Sequence, residues 1–352
     1  MDRNTKRTDK PATIQDVSEL SGISVSTVSR IINNKPHVSK AKRDKVQWAM
    51  DQLGYVPMPA ARALRGAGTR NVAVCVPNLT NPFFSIVLEG IEQECHNRGY
   101  QTLIINTGKV RKRETEALNL LATHHADGLI LCDIENEPEV IEKASQHAPI
   151  VLCNEYSRNM TLPQVLGGQY DGFFKATDYL AKKGHRRIAY CTGSKTLTLG
   201  PKGLCMDNDR YLGFIDALAA NQLFFQSDLL FTEHQTIEDG RQLLNKVAKM
   251  KNPPTAIISG SDSLSAGFVL ESFKKHVRIP EDFAIVGTDD SPIASQLPIE
   301  LTTISQPSQE IGRRAARLLI DRIENKVDDS ALEEGEKEEI ILPLDLVIRQ
   351  SA

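Results

Sequence analysis

The sequence predicts an all-α headpiece with a helix-turn-helix and a hinge helix, followed by an α/β core of two parallel-sheet lobes. Three observations point there. Thr13 to Asn34 reads as two short helices joined by a tight turn. From Asn71 onward, β-rich apolar runs alternate with amphipathic helices, in two successive series. Charge divides at the same place: residues 1–70 hold 13 Lys and Arg against 6 Asp and Glu, net +7, whereas the remaining 282 hold 29 against 39, net −10.

Residues 1–12 carry Arg3, Lys6, Arg7 and Lys10 and read as a flexible arm. In the first helix Ile14, Val17 and Leu20 recur at spacing three, with Thr13 as cap and Asp16 in the first turn. Gly22 ends it, and Ser24 is placed to cap Val25–Ile32, whose packing face is Val28, Ile31 and Ile32. The outer face keeps Ser26, Thr27, Ser29, Arg30 and Asn33. Small hydroxyls that approach phosphates and base edges, with one Arg able to grip guanine by two hydrogen bonds, suit a DNA major groove. A surface helical hairpin would show the same hydroxyls. Ser39 begins a third helix running to about Leu53, with Val46, Ala49, Met50 and Leu53 inside and Lys40, Lys42, Arg43 and Lys45 outside; Gly54 closes it. Residues 13–57 thus form one domain. Residues 58–70 begin at prolines and continue as an Ala-rich turn or two, too short for a helix to hold alone, so the hinge should form only against DNA or a second copy of itself.

The first α/β series has strands at Val72–Val76, Thr102–Asn106, Gly128–Cys132 and Ile150–Asn154, with helices near Phe84–Asn97, Arg113–His124 and Pro138–His147. The second has strands at Arg187–Cys191, Leu229–Thr232, Ala256–Gly260 and Phe283–Gly287, with helices near Asp171–Lys183, Asp209–Asn221, Ile237–Lys249 and Asp262–Lys275. A helix after Pro307 and a last strand near Glu339–Val347 complete the chain, with an acidic loop over Asp328–Glu339.

Composition excludes several classes. The 352 residues, 40% hydrophobic, require two or three domains. No apolar run approaches a membrane span, and Met1-Asp2-Arg3-Asn4 does not open a signal peptide, so a cytoplasmic protein is expected. The six cysteines form no C-x-x-C pair and read as buried thiols; the eight histidines lack metal-ligand spacing. Neither a Walker loop nor a G-x-G-x-x-G after the first strand is present. The expectation is therefore no enzyme, no metal and no cofactor.

The pattern resembles the LacI/GalR family of bacterial transcriptional regulators along nearly the whole chain. Matching segments include Thr13-Ile-Gln-Asp-Val17, Gly22-Ile-Ser-Val-Ser-Thr-Val-Ser-Arg30, Leu53-Gly-Tyr55, Ala61-Arg62-Ala-Leu64, Asn81-Pro-Phe-Phe84, Gly184-His-Arg-Arg-Ile188, Arg210-Tyr-Leu-Gly-Phe214, Gly287-Thr-Asp-Asp290 and Gln306-Pro307. The resemblance implies a core of two periplasmic-binding-protein-like lobes, spanning 71–167 plus 307–335 and 168–306 plus 336–352, with a small ligand between them. It places Val25, Ser26 and Arg30 at base-reading positions, and Thr13, Ser24, Thr27, Ser29, Asn33 and His37 at backbone contacts. Arg62 and Leu64 fall on the hinge, with Leu64 as a minor-groove wedge. For the effector it implies Asn81, Phe83, Phe84, Arg210, Asp262 and Asp289, beyond the carboxyl ends of strands. Such a set suits a sugar or sugar derivative, since ionised groups bond hydroxyls and a ring covers a pyranose face.

Some positions depart from the family pattern. Met58 stands where Asn is common. Gly168-Gln169 occupies an acidic-amide place, Asn154-Glu155 stands for a commoner Asp-Arg pair, and 200–209 is an unusual loop. The expected partners are palindromic double-stranded operator DNA, a sugar-like effector and a second copy of the chain, because no tetramer-forming heptads are found and one headpiece is too small to specify an operator. Alternatives are a solute-binding protein or a regulator controlled by a protein corepressor.

Overall fold

The computed structural model describes residues 12–32, 36–56, 68–156, 160–193, 205–324 and 338–352. The chain divides into two compact units, Met1–Thr69 and Arg70–Ala352.

In the first unit, α1 (Ile14–Ser21), α2 (Val25–Ile32) and α3 (Lys40–Leu53) enclose Val17, Val28, Ile31, Val46 and Ala49. Thr13 and Asp16 form a reciprocal cap: the Thr13 amide donates to Asp16 Oδ2 (2.7 Å) and the Asp16 amide to Thr13 Oγ1 (3.3 Å). Gly22 turns the chain at φ 66°. Leu20, expected in the packing stripe, is exposed, because a helix of eight residues can present only about two turns to so small a core. Neither expected serine cap closes through its side chain. The Ser24 hydroxyl meets those of Ser26 (3.2 Å) and Thr27 (3.0 Å), and Ser39 holds the start of α3 through its carbonyl.

The second unit is built on two six-stranded sheets. In the first, β1 (Asn71–Val76), β2 (Gln101–Asn106), β3 (Gly128–Leu131), β4 (Ile150–Cys153), β5 (Gln164–Gly167) and β11 (Glu339–Leu342) lie in the order β11-β5-β4-β3-β1-β2, all parallel. The second contains β6 (Ile188–Thr192), β7 (Leu230–Thr232), β8 (Ala256–Ser259), β9 (Ala284–Asp289), β10 (Thr302–Ser305) and β12 (Asp345–Val347), ordered β12-β10-β9-β8-β6-β7, with only β12 antiparallel. Alternation along β1 sends Val72, Val74 and Val76 to one face, against α4 (Pro82–Asn97) and α11 (Ser308–Ile323). Ala73 and Cys75 go to the other, against α5 (Arg111–Ala122) and α6 (Pro138–Ser145). The second sheet is covered likewise by α7 (Gln169–Lys182) with α8 (Met206–Ala220), and by α9 (Ile237–Val247) with α10 (Asp262–Lys275).

The expected single strand near Glu339–Val347 is instead two strands in different sheets. Pro343 lacks an amide hydrogen and interrupts the run between β11, which pairs with β5, and β12, which pairs with β10. The crossing between lobes therefore lies at 343–344, and residues 339–342 belong with the first sheet rather than with the second lobe. Strands β5 and β10 add one member to each expected series; both are four residues long.

Glycines set the helix pairs. A Cβ on Gly90 of α4 would lie 2.0 Å from the Gln309 carbonyl oxygen of α11, and one on Gly312 would lie 2.1 Å from that of Val87. Gly213 against Tyr170 (2.2 Å) does the same for α8 on α7, as does Gly240 against Leu264 (1.9 Å) for α9 on α10. Backbones in such contact leave no room for a methyl group, and forcing one in costs about 1–3 kcal/mol or more. Gly240→Ala should lower the unfolding free energy of the second unit by at least that amount in urea titration; unchanged stability would contradict the contact.

Candidate functional site

On α2, Val28 and Ile31 turn into the core, which leaves Ser24, Val25, Ser26 and Arg30 exposed and Thr27 and Ser29 half-buried. Val25 is 38% exposed, so its side chain is open to a partner rather than spent on packing. The Arg30 guanidinium donates to the Pro36 carbonyl (3.2 Å), which holds it beside the turn. Thr13 is exposed at the start of α1, and His37 is exposed with φ 68°. A helix N-terminus ringed by hydroxyls offers amide hydrogens and the positive end of a dipole, the features that receive phosphate oxygens. Asn33, Arg62 and Leu64 lie outside the described residues.

In the second unit the expected effector residues separate into two groups. Asn81 caps α4, its Oδ1 accepting the Phe83 amide (3.0 Å). Phe83 is core, 4% exposed, and meets Phe84 edge to face at 5.1 Å between centroids; Phe84 is the half-buried ring of the two. Phe83 packs in the core with Val87 and the strands of the first sheet.

Arg210, Asp262 and Asp289 lie together, joined by groups not expected at the site. Asp289 Oδ1 accepts from Gln306 Nε2 (2.8 Å), Gln306 Oε1 accepts from Gln169 Nε2 (2.8 Å), and Gln169 Oε1 accepts from Arg210 Nε (2.8 Å). Asn154 Oδ1 accepts from the same Gln169 nitrogen and from the Gly167 amide, both at 3.3 Å. Arg210 also donates to the Gly260 carbonyl (3.4 Å) and stands over the Phe173 ring at 5.3 Å. Every member of this relay is buried. A Cβ on Gly167 would lie 3.0 Å from Gln169 Nε2, so a side chain there would press on the relay. Asn154 (φ 55°) and Asp289 (φ 118°) hold left-handed or rarely visited backbone where β4 and β9 end.

Asp262 is wholly buried and its oxygens are taken by the protein: Oδ2 accepts from the Ser291 amide (2.7 Å) and hydroxyl (3.0 Å), Oδ1 from the Thr303 hydroxyl (2.6 Å). It ties α10 to Ser291 beyond β9 and to Thr303 in β10, and Gly287 makes the space for its carboxylate. Burial raises the Asp289 carboxyl, and the nearby Asp262 charge adds to this, while Arg210 and Gln306 pull it back. The sequence signals for the relay were the Gln306-Pro307 motif and the departures at Asn154 and Gln169; nothing in the spacing showed that they would meet.

Burial pushes the Asp262 carboxyl from 3.8 up to about 7, against the pull of Thr303 and Ser291. The folded protein thus holds this proton more tightly than the unfolded chain, so stability is fullest below about 3.8 and falls as pH rises towards about 7. Asp262→Asn removes that slope. Across this range its unfolding free energy should shift in the variant's favour relative to the parent; a difference independent of pH would refute the assignment.

Comparison with known proteins agrees with both units. Residues 13–58 match the family of bacterial regulatory proteins of the lacI type, and residues 69–350 match the periplasmic binding proteins and sugar binding domain of the LacI family. The NTD biosynthesis operon regulator NtdR of Bacillus subtilis is 31% identical over 96% of this chain and 99% of its own. A LacI family transcriptional regulator from Lactobacillus casei, solved with bound glucose, is 30% identical over 80% of this chain and 99% of its own, with a TM-score of 0.69. The lac repressor dimer bound to operator and an anti-inducer shares the fold at 23% identity and a TM-score of 0.81, over 97% of this chain and 99% of its own. Among the described residues no helix is long and apolar enough to cross a membrane. A helix-turn-helix unit joined to a two-sheet ligand-binding core, matched along almost its full length by regulators rather than enzymes, places this chain in the LacI family of bacterial DNA-binding transcriptional regulators.

Proposed function

We propose that the chain is a cytoplasmic repressor that binds a palindromic operator as a homodimer, with an affinity set by a hydroxylated, sugar-like effector between the lobes. The observation that carries the effector half is the buried relay Asn154–Gln169–Gln306–Asp289, with Arg210 on the Gln169 oxygen. Its members stand beyond the carboxyl ends of strands from both sheets, where ligands of α/β folds bind. A polyol supplies both donors and acceptors and so can replace the bonds that these side chains make to one another. Arg210 and Asp289 then contact hydroxyls, Asn81 and Phe84 face the ligand from the first lobe, and Asp262 and Phe83 support the walls. The glucose-bound relative supports this chemistry.

For DNA, the exposed Val25, Ser26 and Arg30 read base edges, while Thr13, Ser24, Thr27, Ser29, Asn33 and His37 position the backbone. Arg62 and Leu64 serve the hinge. A ligand that favours one lobe arrangement changes operator affinity by its difference in affinity between the two arrangements, and by no more.

Arg30→Ala should weaken binding to the operator by ~1–3 kcal/mol and relax one base position in a selection experiment; an equal loss on random DNA would contradict base reading. Arg210→Lys keeps the charge but loses the Nε geometry, and should abolish the effector's influence on operator binding in gel-shift titrations. A normal response in that variant would exclude Arg210 from the pocket.

A further inference from the structure

The first turn of α8 belongs to the second lobe by sequence but packs against the first. Met206, Asp209 and Arg210 stand at spacings of three and four, so they share one face of the helix. Further along, Tyr211, Phe214 and Leu218 join the core of the second sheet. Met206 packs instead on the first-lobe cluster that contains Tyr156, Met160 and Leu162. Tyr156 lies just beyond β4, and its hydroxyl donates to Asp209 Oδ2 at 2.5 Å. Tyr156 is 5% and Asp209 9% exposed, so this bond is made away from water. Asn154 Nδ2 donates to Met206 Sδ (3.7 Å), which joins the contact to the relay, because Oδ1 of the same amide accepts from Gln169.

A hydrogen bond to an ionised acceptor is stronger than one between neutral groups, and a carboxylate shut from water without its donor is costly. Parting the lobes along this face would break the Tyr156 bond and uncover Met206 together, so the two contacts act as one clasp. Both are made by the chain's own side chains, so the arrangement they favour is populated before any ligand arrives. Arg210 directly follows Asp209, so whatever fixes Asp209 against the first lobe also fixes where the guanidinium enters the relay.

We infer that Tyr156 and Asp209 are positioning residues, whose bond holds the two lobes in one arrangement in the ligand-free chain and sets Arg210 for the effector. The consequence at the operator rests on the effector reading above, and the clasp supplies the contact that a change of lobe arrangement must break.

Cys205, the residue before Met206, is half-buried, while the other five cysteines are buried, so its modification by N-ethylmaleimide reports on the clasp. In the full chain without added ligand, Tyr156→Phe should speed modification of Cys205 at least tenfold, read by peptide mass spectrometry, and leave Cys75 and Cys191 as slow as in the parent. Asp209→Ala should do the same, and the double variant should react no faster than the faster single one, since both substitutions remove one bond. Asp209→Asn keeps an acceptor for the Tyr156 hydroxyl and should stay within threefold of the parent. Equal rates in the parent and Tyr156→Phe overturn the inference, as does faster modification of all six cysteines, which marks a general loss of stability. Gel-shift titration of a palindrome selected from random DNA separates the two readings. Faster Cys205 modification with at least a threefold change in affinity for that palindrome supports both, while faster modification at unchanged affinity keeps the clasp and removes its link to the operator.

Discussion

A single buried amide, that of Gln169, holds the centre of the second unit. Its oxygen receives Arg210, and its nitrogen serves Gln306 and Asn154. A buried amide left with an unmet donor or acceptor costs about 1–3 kcal/mol, so these partners are fixed as a set and not one at a time. Gln169 opens α7 just after the chain leaves the first sheet, and Gln306 stands just before the chain returns to it in α11. The same hydrogen bonds that satisfy Gln169 therefore fasten two of the three passages between the sheets. Anything that binds Arg210 or Asp289 competes directly with that fastening.

Around this polar centre the packing is dry and close. Each sheet is covered on both faces by helix pairs, and three of those pairs approach until only glycine fits. Interiors packed in this way shift between discrete arrangements rather than deforming smoothly. The polar residues lie where strands end and loops begin, the one region where the layers open, and the left-handed residues Asn154 and Asp289 mark two of those ends.

The two functional surfaces draw on opposite electrostatics. The first unit is basic and keeps its hydroxyls and Arg30 outward, as a polyanion requires. The second is acidic. Opposite net charge on the two units favours contact with nucleic acid at the first and disfavours it at the second.

The sequence by itself determined what depends on neighbours along the chain. Capping at Thr13 and Asp16, the glycine stop at Gly22, the exposure of Ser26 and Arg30 on α2 and the two βαβ series all follow from local spacing, and they appear as expected. Local pattern failed where burial on both faces or a single proline decided the outcome. Strands β5 and β10 were absent from the two expected series, and the run from Glu339 to Val347 reads as one strand although Pro343 sends its halves to different sheets. Site chemistry divides in the same way. Arg210 and Asp289 were singled out by the family resemblance, and Gln169, Asn154 and Glu155 as departures from its pattern. Only the tertiary structure decided that Asp262 is a buried tie, that Phe83 is core, and that Gln169 joins Arg210 to Gln306. Those outcomes rest on hydrogen bonds and contacts between residues tens to more than a hundred positions apart, and periodicity carries no information at that range.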